Sequence, residues 1–288
     1  MNKMKVHLEC IPCFLRQALE AVKMSTNNDK IREKALRKVT TYLSQVKWTT
    51  DIPRIGTEVH RIVKKVTGNS DPYRQLKNKY NKLAAQLYPR LKLMVKNSND
   101  PLFTALKIAI AGNAIDFGPK AEIDLEKEVK NALTSKLAIN HIESFRHELK
   151  PETDLMYLAD NSGETFFDKI LLEELKKFKA RIVYVVKGGP ILNDATIDDA
   201  KIAEIDRVAD VISTGTDCAG IIFDECSEEF LKAFEKTSVV ISKGQGNYES
   251  LSEVKGKKIF FLLKVKCPIV GEKIGATVGS MVLKAVSS

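Results

Sequence analysis

Asp154-Leu-Met-Tyr-Leu-Ala-Asp160-Asn161-Ser162-Gly163-Glu164 decides how this chain is read. A short apolar run ends in an acid and an amide, then a small residue, a glycine and another acid. Phe166, Phe167, Ile170, Leu171, Leu175 and Phe178 follow at helical spacing. The pattern predicts a strand, a tight polar turn and a helix. In an open α/β sheet, the carboxyl end of a strand faces the ligand crevice. Asp160 and Asn161 therefore stand where a ligand binds. Paired oxygen donors without thiol or imidazole suit a hard cation such as Mg²⁺ or Mn²⁺. The competing explanation is a turn whose Asp and Asn bond their own backbone.

The segments beyond it repeat the theme. Leu155–Ala159, Ile182–Val186, Val211–Ser213, Val239–Ile241 and Ile259–Leu263 are apolar runs of strand length that alternate with helical stretches. Such alternation predicts a parallel sheet covered by helices. Every run exits into polar residues, most with glycine: Lys187-Gly188-Gly189, Asn193-Asp194-Ala195-Thr196, Thr214-Gly215-Thr216-Asp217, Lys243-Gly244-Gln245-Gly246-Asn247 and Lys264-Val265-Lys266-Cys267. In that topology the exits share one edge. There carboxylates can hold a metal, lysines can meet an anion, and glycine backbone can approach a phosphate. Gly271 to Val286 reads as a closing helix.

Residues 14–96 read as successive amphipathic helices with breaks near 25–29, 49–53 and 67–72. A further helix from Leu102 to Ala111 runs into Gly112-Asn113-Ala114-Ile115-Asp116-Phe117-Gly118, read as a turn that presents polar groups. Residues 122–150 look charged and mostly helical. Lys150-Pro151 marks the boundary between a helical domain, 1–150, and an α/β domain, 151–288. Charge divides the same way: residues 1–150 hold 28 Lys+Arg against 15 Asp+Glu, and residues 151–288 hold 18 against 22. A basic half attracts anions, although most of its lysines read as a solvated helical surface.

No apolar run reaches the ~20 residues of a membrane span, and the opening does not read as a signal peptide. Five cysteines, an odd number, argue against a disulfide framework and for a reducing cytoplasm. Cys10-Ile-Pro-Cys13 opens the first helix. By itself it fits a redox pair, half of a metal site with His7 or Cys267, or packed thiols.

Together these motifs resemble the damage-control phosphatase family, first described as domain of unknown function 89. The residues that carry the resemblance are Asp160 to Glu164, Gly112-Asn113 to Asp116, Asn193 to Thr196, Lys243 to Glu249 and Lys264 to Cys267. Cys10-Ile-Pro-Cys13 and Asp71-Pro72-Tyr73 are similar to the branch found in archaea and some bacteria. The resemblance spans nearly the whole chain. It implies a Rossmann-like three-layer α/β/α domain with an N-terminal all-helical domain. It implies a metal-dependent phosphatase acting on sugar phosphates or related side-product metabolites. Asp160, Asn161 and Asp194 would hold Mn²⁺, Mg²⁺, Ni²⁺ or Co²⁺. Lys264, with Lys243, Gly244, Gly246 and Asn247, would bind the phosphate. Asn113, Asp116 and Glu164 would line the same site.

Three alternatives fit less of the chain. An aspartyl-phosphate enzyme of the haloacid dehalogenase type has a second Asp two residues after the first, where this chain has Ser162. A methyltransferase using S-adenosylmethionine needs more glycines than the Asp160–Gly163 turn offers. Nucleic-acid binding through the basic half lacks a recognition motif.

Overall fold

The computed structural model describes residues 4–114 and 125–286. Five helices come first: α1 (Cys10–Ser25), α2 (Asp29–Gln45), α3 (Ile52–Thr67), α4 (Arg74–Lys96) and α5 (Pro101–Ala114). Their boundaries follow local chemistry. Asn28 caps α2 by accepting from the Lys30 and Ile31 amides, and Gly68 ends α3 in the left-handed region at φ 72°. In α1, Cys10, Phe14, Ala18, Ala21 and Val22 are buried, one stripe at helical spacing.

The stretch read as mostly helical contains α6 (Leu125–Thr134), a two-residue strand β1 (Ile139–Asn140) and α7 (Ile142–Glu148). The alternating part follows as β2 (Asp154–Leu158), α8 (Thr165–Lys176), β3 (Arg181–Val186), α9 (Ile197–Ile202), β4 (Asp210–Ser213), α10 (Glu228–Lys236), β5 (Val239–Lys243), α11 (Gln245–Leu251) and β6 (Lys258–Lys264). The chain ends with α12 (Pro268–Ile274) and β7 (Met281–Val286).

The seven strands among the described residues form one sheet in the order β1-β7-β6-β5-β2-β3-β4. All neighbours are parallel except β6 and β7, which run antiparallel with Leu262 opposite Leu283. Alternate residues feed two cores. Leu155 and Tyr157 of β2 join helices α4, α5 and α8, whereas Met156 and Leu158 join α1, α3, α11 and α12. The result is three layers, α/β/α. The N-terminal helices supply part of both outer layers.

Two expectations are corrected. The segment 271–286 is not one helix. Gly275, at φ 82°, stops α12, Gly279, at φ 91°, turns the chain, and Met281–Val286 pairs with β6. The turn expected over Gly112 to Gly118 starts as helix instead: α5 runs through Ala114, and 115–118 lie outside the described residues. Gly112 serves packing, since a Cβ there would stand 3.0 Å from the Phe167 ring of α8. Asp116 lies outside the described residues.

Candidate active site

From β2 the chain builds outward to β3 and β4, then returns to the other side of β2 for β5 and β6. The strand order thus reverses between β2 and β5, and a crevice opens there beyond the carboxyl ends. Asp160 and Asn161 leave β2 at this point, and Lys243 ends β5. A backbone bridge pairs Asn161 with Asp194, and the Ala195 amide donates to the Asp160 carbonyl at 2.8 Å. Two segments 33 residues apart in sequence, by the numbering of Asn161 and Asp194, thereby bring Asp160, Asn161 and Asp194 to one place.

A chain of side-chain bonds fixes the floor. Asn113 of α5 donates to Asp160 Oδ2 at 2.6 Å and to Glu164 Oε1 at 3.0 Å. Asn161 Nδ2 donates to the same two oxygens, at 3.2 and 2.6 Å. Lys243 Nζ, fully buried, donates to Glu164 Oε2 at 2.7 Å and to Asp168 Oδ1 at 2.6 Å. The Tyr157 and Tyr184 hydroxyls complete the shell of Asp168 at 2.6 and 2.8 Å. Asn247 donates to the carbonyls of Ala159 and Lys243, at 3.0 and 2.9 Å, which ties the end of β2 to the end of β5. Its buried Oδ1 has no hydrogen-bond partner among the described residues. Gly244 has φ 77° and ψ 173°, a conformation open essentially only to glycine.

Electrostatics single out the open face. Burial, then the Glu164 and Asp194 carboxylates, push Asp160 well above the usual carboxylate range, against Lys266 and Lys243. Burial pushes Asp194 up to about 6, although Lys187 and Lys77 pull it down. Burial alone would lower Lys243, but Asp168 and Glu164 hold it above the usual lysine range. Lys243 is therefore a charged strut inside the floor. On the face, Lys266 is exposed and acts on Asp160. Lys264 is half-buried, and its backbone amide donates to Asn113 Oδ1 at 3.2 Å. Gly246 packs on Gly220, where an added Cβ would stand 2.5 Å from the Gly246 carbonyl oxygen.

Three participants were not singled out in the sequence. Lys187, at the exit of β3, donates to the Gly220 carbonyl at 2.7 Å and lies 3.7 Å from Asp194 Oδ2. Its signal was a lysine directly before a glycine at a strand exit, as Lys243 stands before Gly244 at the exit of β5. Asp168 interrupts the apolar face of α8, the mark of a buried charge with a partner. Lys77 of α4 reaches Asp199 at 3.3 Å and Asp71 at 3.7 Å. It carried no local signal.

The donor set fits a hard divalent cation. It is oxygen only, and it holds two carboxylates whose negative charge the local lysines leave incompletely balanced. Asn161 commits its Nδ2 to Asp160 and Glu164, which leaves Oδ1 as its donor atom. Among the described residues no three His, Cys, Asp or Glu side chains form a metal-binding group. The set here is two carboxylates and an amide. All five cysteines are free. Burial raises the Cys10 thiol, which makes it a poor nucleophile.

A family model for the damage-control phosphatase ARMT1-like domain matches residues 6–282. The chain belongs to the damage-control phosphatase ARMT1-like family. Similar proteins include an uncharacterized protein of Methanocaldococcus jannaschii, 43% identical over 98% of this chain and 96% of that one. A damage-control phosphatase of Pyrococcus horikoshii is 38% identical over 97% of both chains. One of Archaeoglobus fulgidus is 36% identical over 98% of this chain and all of its own. The crystal structure of a domain-of-unknown-function-89 protein from Pyrococcus horikoshii superimposes with a TM-score of 0.91, at 36% identity, over 97% of this chain and 98% of that one. In this family member, no helix among the described residues is long and apolar enough to cross a membrane.

Proposed function

We propose that this protein hydrolyses phosphate monoesters of small metabolites with a divalent metal held by Asp160, Asn161 and Asp194. Phosphatase chemistry is what its family and its named relatives carry. The observation that supports the site is the Asn161–Asp194 bridge, which gathers two carboxylates and an amide at the sheet's switch point. The metal would be Mn²⁺, Mg²⁺, Ni²⁺ or Co²⁺, and when bound it supplies positive charge toward the phosphoryl oxygens.

The protein's own groups do the rest. Lys266 offers an exposed ammonium beside Asp160 and neutralises charge on the equatorial oxygens as it develops. Lys187 opposes the upward push of burial on the Asp194 carboxyl. Lys243, Glu164 and Asp168 hold the Asn113 and Asn161 amides in place, so the donor set is oriented before substrate arrives. The Lys264 amide orients Asn113 from the other side. Asn113 and Lys77 bring the helices α5 and α4 over the sheet edge, where they narrow the crevice. Five free thiols suit work in a reducing cytoplasm.

The test is a screen of divalent metals against phosphate monoesters on chelator-stripped protein. Turnover is expected only with metal, and Asp160→Ala or Asp194→Ala should remove it while the fold persists. A double variant that keeps wild-type turnover in the same metal would show that the site lies elsewhere.

A further inference from the structure

Beside the catalytic end lies a cavity of about 210 Å³. That is room for a group the size of roughly seven water molecules. The loops that build the catalytic site also build its wall. Leu192 lines it two residues before Asp194. Ala219 lines it next to Gly220, whose carbonyl receives Lys187. Gly246 lines it two residues after Gly244, and Cys267 follows Lys266. The opposite wall comes from α1 and α3, with Cys10, Cys13, Phe14, Pro53 and Gly56.

The chemistry of this wall is mostly apolar. Phe14, Pro53 and Val270 are hydrocarbon, and the sulfurs of Cys10, Cys13 and Cys267 are soft and bond weakly. Gln245 is already committed: its Oε1 accepts from the Lys266 amide at 3.1 Å, and its Nε2 donates to Glu249 Oε1 at 3.3 Å. Glu9 and Gln17 also line it, Glu9 exposed at the mouth and Gln17 donating to Cys13 Sγ at 3.4 Å, which leaves the half-buried Glu249 as the carboxylate inside. A polyhydroxylated sugar entering here would give up water at several hydroxyls and find few partners. An apolar-bodied alcohol with a single polar substituent loses little and buries its carbon surface.

We propose, resting on the phosphatase reading above, that this cavity receives the alcohol half of the ester, and that this alcohol is compact and apolar in body, with one polar group to meet Glu249. The substrate class is then phosphate monoesters of small hydrophobic alcohols rather than of sugars.

Calorimetric titration of the Mn²⁺-loaded full chain tests this without turnover. The probes are inorganic phosphate, benzylphosphonate and a hexose 6-phosphonate. Benzylphosphonate is expected to bind at least about tenfold tighter than phosphate, as burial of several carbons requires. The hexose phosphonate gains nothing over phosphate. Gly56→Leu fills the cavity from α3, between Phe14 and Ala219. It should erase the benzyl advantage and leave phosphate affinity as it was. Cys13→Phe, at the exposed rim of the wall, repeats the test should Gly56→Leu fold poorly. Benzylphosphonate binding no tighter than phosphate, a hexose preference, or an advantage that survives both fillings would overturn the assignment. Failure of phosphate itself to bind would instead bring down the phosphatase reading, and this one with it.

Discussion

Gly244 makes the space that Asp160 occupies: a Cβ on Gly244 would fall 1.9 Å from Asp160 Oδ2. The backbone there, at φ 77° and ψ 173°, also excludes other residues. Gly244→Ala must therefore move the loop, the carboxylate or both. The expected result is a loss of roughly 1–3 kcal/mol in stability and a much larger proportional loss of metal-dependent turnover. Urea denaturation and turnover on one sample check it. A variant with both near wild type would mean that Asp160 has room the structure does not give it.

Lys243 and Lys266 look alike in sequence but sit on opposite sides of the site. Lys243→Met leaves Glu164 and Asp168 buried without their cation, which costs about 3–5 kcal/mol. Lys266→Met, at an exposed position, should change stability by less than about 1 kcal/mol. Its effect is on phosphate, weakened by about 1.5–3 kcal/mol for a lost bond to a charged group. Denaturant midpoints and the inhibition constant of inorganic phosphate separate the two. Equal effects of both variants on stability would contradict the floor-and-face division.

Strands β2 to β6 were legible because each is an apolar run of strand length with a polar exit, most with glycine, and Asp160, Asn161 and Asp194 stand in those exits. β7 was not. Met281-Val-Leu-Lys-Ala-Val fits a helix as well as a strand, and only pairing with β6 decides between them. β1 has two residues and exists because β7 lies beside it. The same reason hid Lys77 and Asp168. Their meaning comes from partners far along the chain, Asp199 for one and Lys243 for the other. Lys243 was assigned to the substrate because its loop matches the family motif. Full burial against two carboxylates is a property of the folded chain that no local pattern carries.

Metal binding should register as stability as well as activity. A cation that binds only the folded chain at a hundred times its dissociation constant raises stability by about 2.7 kcal/mol. Asp194→Asn removes a proposed ligand but also a like charge beside Asp160. The variant should equal or exceed wild type in melting temperature when both are stripped, and should fall behind when Mn²⁺ is added. Thermal melts with chelator and with Mn²⁺ give both numbers. A metal-dependent rise that is undiminished in Asp194→Asn would move the cation away from this residue.

Glu249 gives the protein a stability gradient in mildly acid solution. Burial raises its carboxyl from an ordinary 4.5 to about 7, opposed by the Gln245 bond. Between those values the unfolded chain has released the proton and the folded chain still holds it. Folding is therefore favoured most below about pH 4.5, and this contribution is lost as pH climbs to about 7, then stays lost. The nearby Cys10 and Cys13 thiols are raised from 9.0, so they are silent in that window. Glu249→Gln keeps the shape and the capacity to donate, but has no proton to lose. The stability of Glu249→Gln relative to wild type should rise steadily between those pH values and level off above. Denaturation curves at pH steps across the window measure the difference directly. Two curves that stay parallel would mean that Glu249 is already ionised in the folded protein and does not present a proton to the cavity.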